Sequence, residues 1–98
     1  MPQTATFNRG LDARVAIVTG GSQGLGEAIA REFAARGLRA VLLTGRNRER
    51  GEAVAASLRA EGCEALFHQV DLADLDAVRQ IVPAAAAAFN HVDILVNA

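Results

Sequence analysis

The sequence predicts an α/β fold, an open parallel sheet with helices on both faces. Three observations carry this reading. Apolar residues alternate along the chain between strand spacing and helix spacing, in the order β-α-β-α-β-α-β. Glycines stand just past the first two helical segments, at Gly37 and Gly62. A glycine-rich stretch, Thr19-Gly20-Gly21-Ser22-Gln23-Gly24-Leu25-Gly26, joins the first strand to the first helix. With 98 residues the chain is long enough for one small domain. Residues 1–12 read as a disordered leader and residues 13–98 as the domain.

The elements follow in order. Arg14–Thr19 is a buried strand centred on Val15-Ala16-Ile17-Val18. A helix starts near Leu25 and ends at Gly37. Leu25, Ile29 and Phe33 fall at i, i+4 and i+8 and are expected to form its inner face. Glu27/Arg31 and Glu32/Arg36 are i,i+4 ion pairs on its wet side. Arg39–Thr44 is the second strand. Arg48–Glu61 is the second helix, with Val54 and Leu58 turned inward. Glu64–Val70 is the third strand. Asp74 is an N-cap for a third helix, whose apolar stripe runs through Leu75, Val78, Ile81 or Val82, Ala85 and Phe89. Pro83 lies inside that helix and removes the bond to the Arg79 carbonyl, so a kink or broken turn is expected there. The alanine run 84–88 re-forms the helix. Val92–Val96 is the fourth strand.

Composition narrows the function classes. The net charge is −1, and all ten cations are arginines. Arg46, Arg48 and Arg50 cluster, but Glu49 and Glu52 interrupt them and no aromatic residue stands beside them, which argues against nucleic acid. No apolar run has the roughly 20 residues of a membrane span, and Met1–Gly10 lacks the apolar core of a secretory signal. Cys63 is the single cysteine, which excludes an intramolecular disulfide and fits a reducing cytoplasm. His68 and His91 lack metal-ligand spacing. Asp74 and Asp76 fit helix capping better than metal binding.

The glycine turn is the candidate site. A strand that passes through such a turn into a helix presents backbone N–H groups and a positive helix end to an anion, the arrangement that holds a dinucleotide pyrophosphate. Gly20 permits the turn, Gly24 lets a phosphate approach the backbone, and Gly26 lets the helix pack closely. A triphosphate loop is excluded, because Glu27 stands where the phosphate-binding lysine belongs. The G-x-G-x-x-G fingerprint fits poorly, because the spacing here is G-x-x-x-G-x-G.

That spacing, preceded by Thr19, resembles the short-chain dehydrogenase/reductase family. Asp71-Leu72 after the third strand and Asp93-Ile94-Leu95-Val96-Asn97-Ala98 at the fourth extend the resemblance over Leu11 to Ala98. It implies a Rossmann-like parallel sheet with strand order 3-2-1-4, here incomplete. It also implies hydride transfer between a nicotinamide and a carbonyl or alcohol substrate, in a cytoplasmic parent that is a homodimer or homotetramer. The family position for the acidic residue that selects NAD is Gly45, followed by Arg46. With no carboxylate there and a guanidinium beside it, NADP is favoured over NAD; the other reading of Arg46 is a solvated loop cation. Ser22 and Gln23 would touch the adenosine ribose or its phosphate, and the Leu25 N–H the pyrophosphate. Asp71 with Leu72 would sit beside the adenine, or Asp71 would end its strand and do no more. Asn97 resembles a family asparagine that steadies the central sheet.

The family's proton chemistry rests on a Tyr-x-x-x-Lys pair and a Ser. The chain has no Tyr and no Lys, and its serines are Ser22 and Ser57. No catalytic residue is therefore assigned. Two readings stay open: the N-terminal, cofactor-binding fragment of an NADP-dependent oxidoreductase, or a non-catalytic nucleotide-binding module or inactive remnant. On the first, the fourth strand is an open apolar edge and the isolated chain is expected to be marginally stable.

Overall fold

The structure, a computed structural model, describes residues 11–98. The leader expected over residues 1–12 lies outside the described residues as far as Gly10. At its end the Leu11 carbonyl accepts from Arg14 N at 3.0 Å and Arg39 N at 3.1 Å, and the Leu11 side chain packs on the core.

The elements are β1 (Val15–Thr19), α1 (Gly24–Ala35), β2 (Ala40–Gly45), α2 (Arg48–Ala60), β3 (Glu64–Gln69), α3 (Leu75–Arg79), α4 (Ile81–Phe89) and β4 (Ile94–Asn97). The strands are parallel in the order β3-β2-β1-β4, as the sequence predicts.

Strand alternation sorts β1 and β2 onto two cores. Ala16, Val18, Val41 and Leu43 face α1 and α2, joined by Ala30, Ala34, Val54, Ala55 and Leu58. Val15, Ile17, Ala40 and Leu42 face α4, joined by Ile81, Ala85 and Phe89. On that second face one row crosses the whole sheet, Leu66–Leu42–Ile17–Leu95. The central pair is buried, while Leu66 and Leu95 on the outer strands are exposed; α4 packs on this face, with Ala77, Val78 and Val92 beside it.

Two expected apolar stripes are corrected. The inner face of α1 is Gly26, Ala30 and Ala34, with Ile29 and Phe33 half-buried beside it; Leu25 is 70% exposed. The helix lies so near the sheet that small residues occupy the contact and large ones flank it. In the third helical segment Ile81, Ala85 and Phe89 point inward, whereas Leu75 and Val82 are exposed. The break near Pro83 falls at Gln80, between α3 and α4. Pro83 thereby sits in the first turn of α4, where an N–H would have no intrahelical partner. Asn90 ends α4 in a left-handed conformation at φ 78°.

Candidate functional site

The site lies at the carboxyl ends of the strands. β1 ends at Thr19, and the chain turns through Gly20 at φ 68°. The Gly21 N–H donates to the Thr44 carbonyl at 2.9 Å, which anchors the turn to β2. Gly24 has φ 61°, and a Cβ on it would point into open space. A Cβ on Gly26 would strike the Gly20 carbonyl oxygen and crowd Gly21. Gly26 therefore closes α1 against the turn itself, a tighter requirement than the helix-to-strand packing expected of it.

Each helix that starts at this end of the sheet leaves its first N–H groups without intrahelical partners. In α2 the Asn47 side chain accepts from Arg50 N at 3.0 Å. In α3 the Asp74 carboxylate accepts from Asp76 N at 3.1 Å and Ala77 N at 3.2 Å. In α1 the N-cap is Gln23, and its side chain makes no capping bond. The Glu27 N–H bonds to the Gln23 carbonyl at 3.4 Å, so the amides of Gly24, Leu25 and Gly26 precede the helical ladder. The Glu27 carboxylate, in the first turn, is held by Arg31 at 2.8 Å, and Arg31 also donates to Ser57 Oγ at 2.9 Å.

This turn forms one wall of a cleft of about 650 Å³. Gly20, Ser22, Gln23, Gly24, Leu25 and Gly26 line it from the turn, Thr44 to Asn47 from the end of β2, Val70, Asp71 and Leu72 from the end of β3, and Ala98 from the end of β4. Nine of the ten expected site residues thus share one cavity, Arg46 included. Asn97 stands apart: its side-chain oxygen accepts from Thr19 Oγ1 at 2.8 Å and ties β1 to β4. Asp71 lines the cleft and also closes a turn, accepting from Ala73 N at 2.9 Å.

The loop after β2 is braced by Gln69. Its amide nitrogen donates to the Arg46 carbonyl at 3.0 Å, and its amide oxygen accepts from Arg48 Nε at 3.2 Å. Sequence reasoning missed Thr44, Asn47, Val70 and Ala98 as lining residues. Asn47 carries a legible signal, an Asn one residue before a helix. The cavity suits a nucleotide diphosphate: amides ahead of the helical ladder at a helix start, open space where a Cβ on Gly24 would point, and Arg46 in the lining.

The remaining chemistry-bearing residues lie elsewhere. Asp93, ahead of β4, accepts from Val15 N at 2.8 Å and pairs with His91 at 3.0 Å and Arg14 at 3.5 Å. The backbone bond from Val15 chiefly, then His91 and Arg14, hold its carboxyl below the ordinary aspartate value. Burial pushes the Cys63 thiol up to about 11, an unreactive setting at neutral pH. Among the described residues no group of three or more His, Cys, Asp and Glu is placed to hold a metal, and no helix is long and apolar enough to cross a membrane.

Comparison with known proteins agrees with this geometry. The family model for short chain dehydrogenase matches residues 14–98. A 3-oxoacyl-[acyl-carrier-protein] reductase of Synechocystis is 38% identical over 89% of this chain and 35% of its own length. The crystal structure of a short chain dehydrogenase from Burkholderia cenocepacia in complex with NADP superposes with a TM-score of 0.84 at 46% identity, covering 89% of this chain and 36% of that one. A metagenomic short-chain oxidoreductase in complex with NADP gives 0.78 at 41%, covering 87% and 38%. The chain spans about a third of the length of the curated relatives it matches.

Proposed function

Since the chain belongs to the short-chain dehydrogenase family, we propose that it forms the cofactor-binding part of an NADP-dependent oxidoreductase acting on a small carbonyl or alcohol substrate. One observation carries the reading. Of the three helices that start at the carboxyl end of the sheet, α1 alone lacks a side-chain cap, and its amides border the cleft. When bound, a nicotinamide dinucleotide supplies hydride transfer to or from a carbon of the substrate. The residues of this chain bind and orient it. The amides of Gly24, Leu25 and Gly26 meet the diphosphate, with Gly20 shaping the turn. Ser22 and Gln23 border the adenosine ribose, and Asp71 and Leu72 border the adenine.

Arg46 grips the ribose 2′-phosphate, which makes NADP the preferred coenzyme and NAD the weaker one. The absence of a carboxylate at Gly45 and the NADP complexes of two solved relatives support this preference. For the whole protein the family likeness supports a cytoplasmic homodimer or homotetramer. Proton transfer is assigned to no residue of this chain.

Titration calorimetry of the full chain with NADP and NAD tests the preference. Arg46→Asp is expected to weaken NADP by about tenfold or more and to favour NAD. Equal affinity for both dinucleotides, before and after the change, refutes the role of Arg46.

A further inference from the structure

The first turn of α1 carries a carboxylate next to the amides that border the cleft. Glu27 follows Gly26 directly and is the acidic residue of that turn. A negative side chain at a helix start stabilises the empty helix, but it repels an anion bound at the same amides. Glu27 does not line the cleft. Its carboxylate is taken by Arg31, one turn further along α1, with Nε 2.8 Å from Oε2. The other arm of the guanidinium reaches α2, where Nη1 donates to Ser57 Oγ at 2.9 Å. All three residues are half-buried. Glu32 and Arg36 repeat the i,i+4 spacing at 2.7 Å, yet both side chains stand out in solvent. The pair near the cleft is therefore the one with a third partner on a neighbouring helix.

We propose that Arg31 is a positioning residue for coenzyme binding: it neutralises Glu27 and, anchored to α2 through Ser57, holds that carboxylate so that the amides of Gly24, Leu25 and Gly26 meet a diphosphate unopposed. The inference rests on the cleft being the dinucleotide site. Arg31 acts without lining the cleft itself. With Arg31 removed, an unpaired negative charge stands one residue from those amides. Such a charge acts over about 10 Å at 0.1 M salt and over much less at high salt.

A double-mutant cycle on the full chain tests this, read by titration calorimetry with NADP and with inorganic pyrophosphate at low and high salt. At about 20 mM salt Arg31→Ala weakens NADP about fivefold relative to the parent, and at about 0.5 M salt that ratio falls below about twofold. Adding Glu27→Gln to Arg31→Ala returns the low-salt affinity to within about twofold of the parent. Glu27→Gln alone binds at least as tightly as the parent, and Arg31→Lys, which keeps the charge, retains most of the affinity. A role confined to helix packing gives a loss that salt does not relieve and Glu27→Gln does not restore; either result overturns the proposal. So does low-salt binding by Arg31→Ala within about twofold of the parent. Should the parent bind pyrophosphate and neither dinucleotide, the cofactor reading of the cleft fails, and the pyrophosphate cycle still decides the role of Arg31. A parent that binds neither dinucleotide nor pyrophosphate overturns both.

Discussion

The two ends of the sheet treat their backbone groups in opposite ways. At the amino end the partners are closed. α1 finishes with Gly37 N donating to the Ala34 carbonyl and Leu38 N to the Phe33 carbonyl, both at 3.0 Å. α2 finishes the same way, with Gly62 N on Arg59 at 3.0 Å and Cys63 N on Leu58 at 3.2 Å. Both are the paired closure that satisfies the last helical carbonyls. Asp93 takes the Val15 N–H between Arg14 and His91. At the carboxyl end α2 and α3 are capped by Asn47 and Asp74, and α1 is left open. The difference teaches where the chain keeps its binding capacity. Unpaired donors are costly when buried and useful when they face a cleft. Here they gather at one helix start, at the end of the sheet where open α/β folds hold their ligands.

The largest way to break this contrast is at Gly26. Gly26→Ala brings a Cβ onto the Gly20 carbonyl, a backbone atom that cannot turn aside. A stability loss of roughly 3 kcal/mol in denaturant unfolding is expected, with loss of dinucleotide binding. A wild-type unfolding midpoint would show that the turn yields freely and that close approach does not define it.

A smaller effect comes from giving α1 the cap it lacks. Gln23→Asp supplies an acceptor to the amides of Leu25 and Gly26. Stability should rise by about 1 kcal/mol, while affinity for NADP falls, because the carboxylate competes for the same donors and repels the diphosphate. Higher stability with unchanged affinity would detach those amides from binding.

The smallest effect concerns the closed end. The folded-state pKa of Asp93 is depressed, so its contribution is present above the ordinary aspartate value of 3.8 and is lost as pH falls through the lower, folded value. Asp93→Asn should flatten the acid limb of a stability–pH profile and leave dinucleotide affinity unchanged. An unaltered acid limb would remove Asp93 from the account of that end.

Much of this was legible in the sequence. Element order follows from periodicity and from the two closing glycines, and the strand order from the family resemblance. The ion pairs Glu27–Arg31 and Glu32–Arg36 form at 2.8 and 2.7 Å. The Asp74 cap and the break ahead of Pro83 also follow from local chemistry. What escaped depends on distance between elements. Leu25 looked like a core residue because it is large and correctly spaced, yet the approach of α1 to the sheet admits Gly26, Ala30 and Ala34 instead. Val82 and Ile81 are neighbours of similar character, and α4's rotation buries Ile81. Arg31 and Ser57 are far apart in sequence, so no local pattern announces that the guanidinium joins α1 to α2.

The most direct test of the central claim is an NMR titration of the isotope-labelled full chain with NADP, following backbone amide shifts. The account predicts the largest changes at Gly24, Leu25 and Gly26, with smaller ones at Arg46 and Leu72. Unmoved resonances at those three amides, with the changes gathered instead around Gly62 to Ala65 or His91 to Asp93, would contradict it.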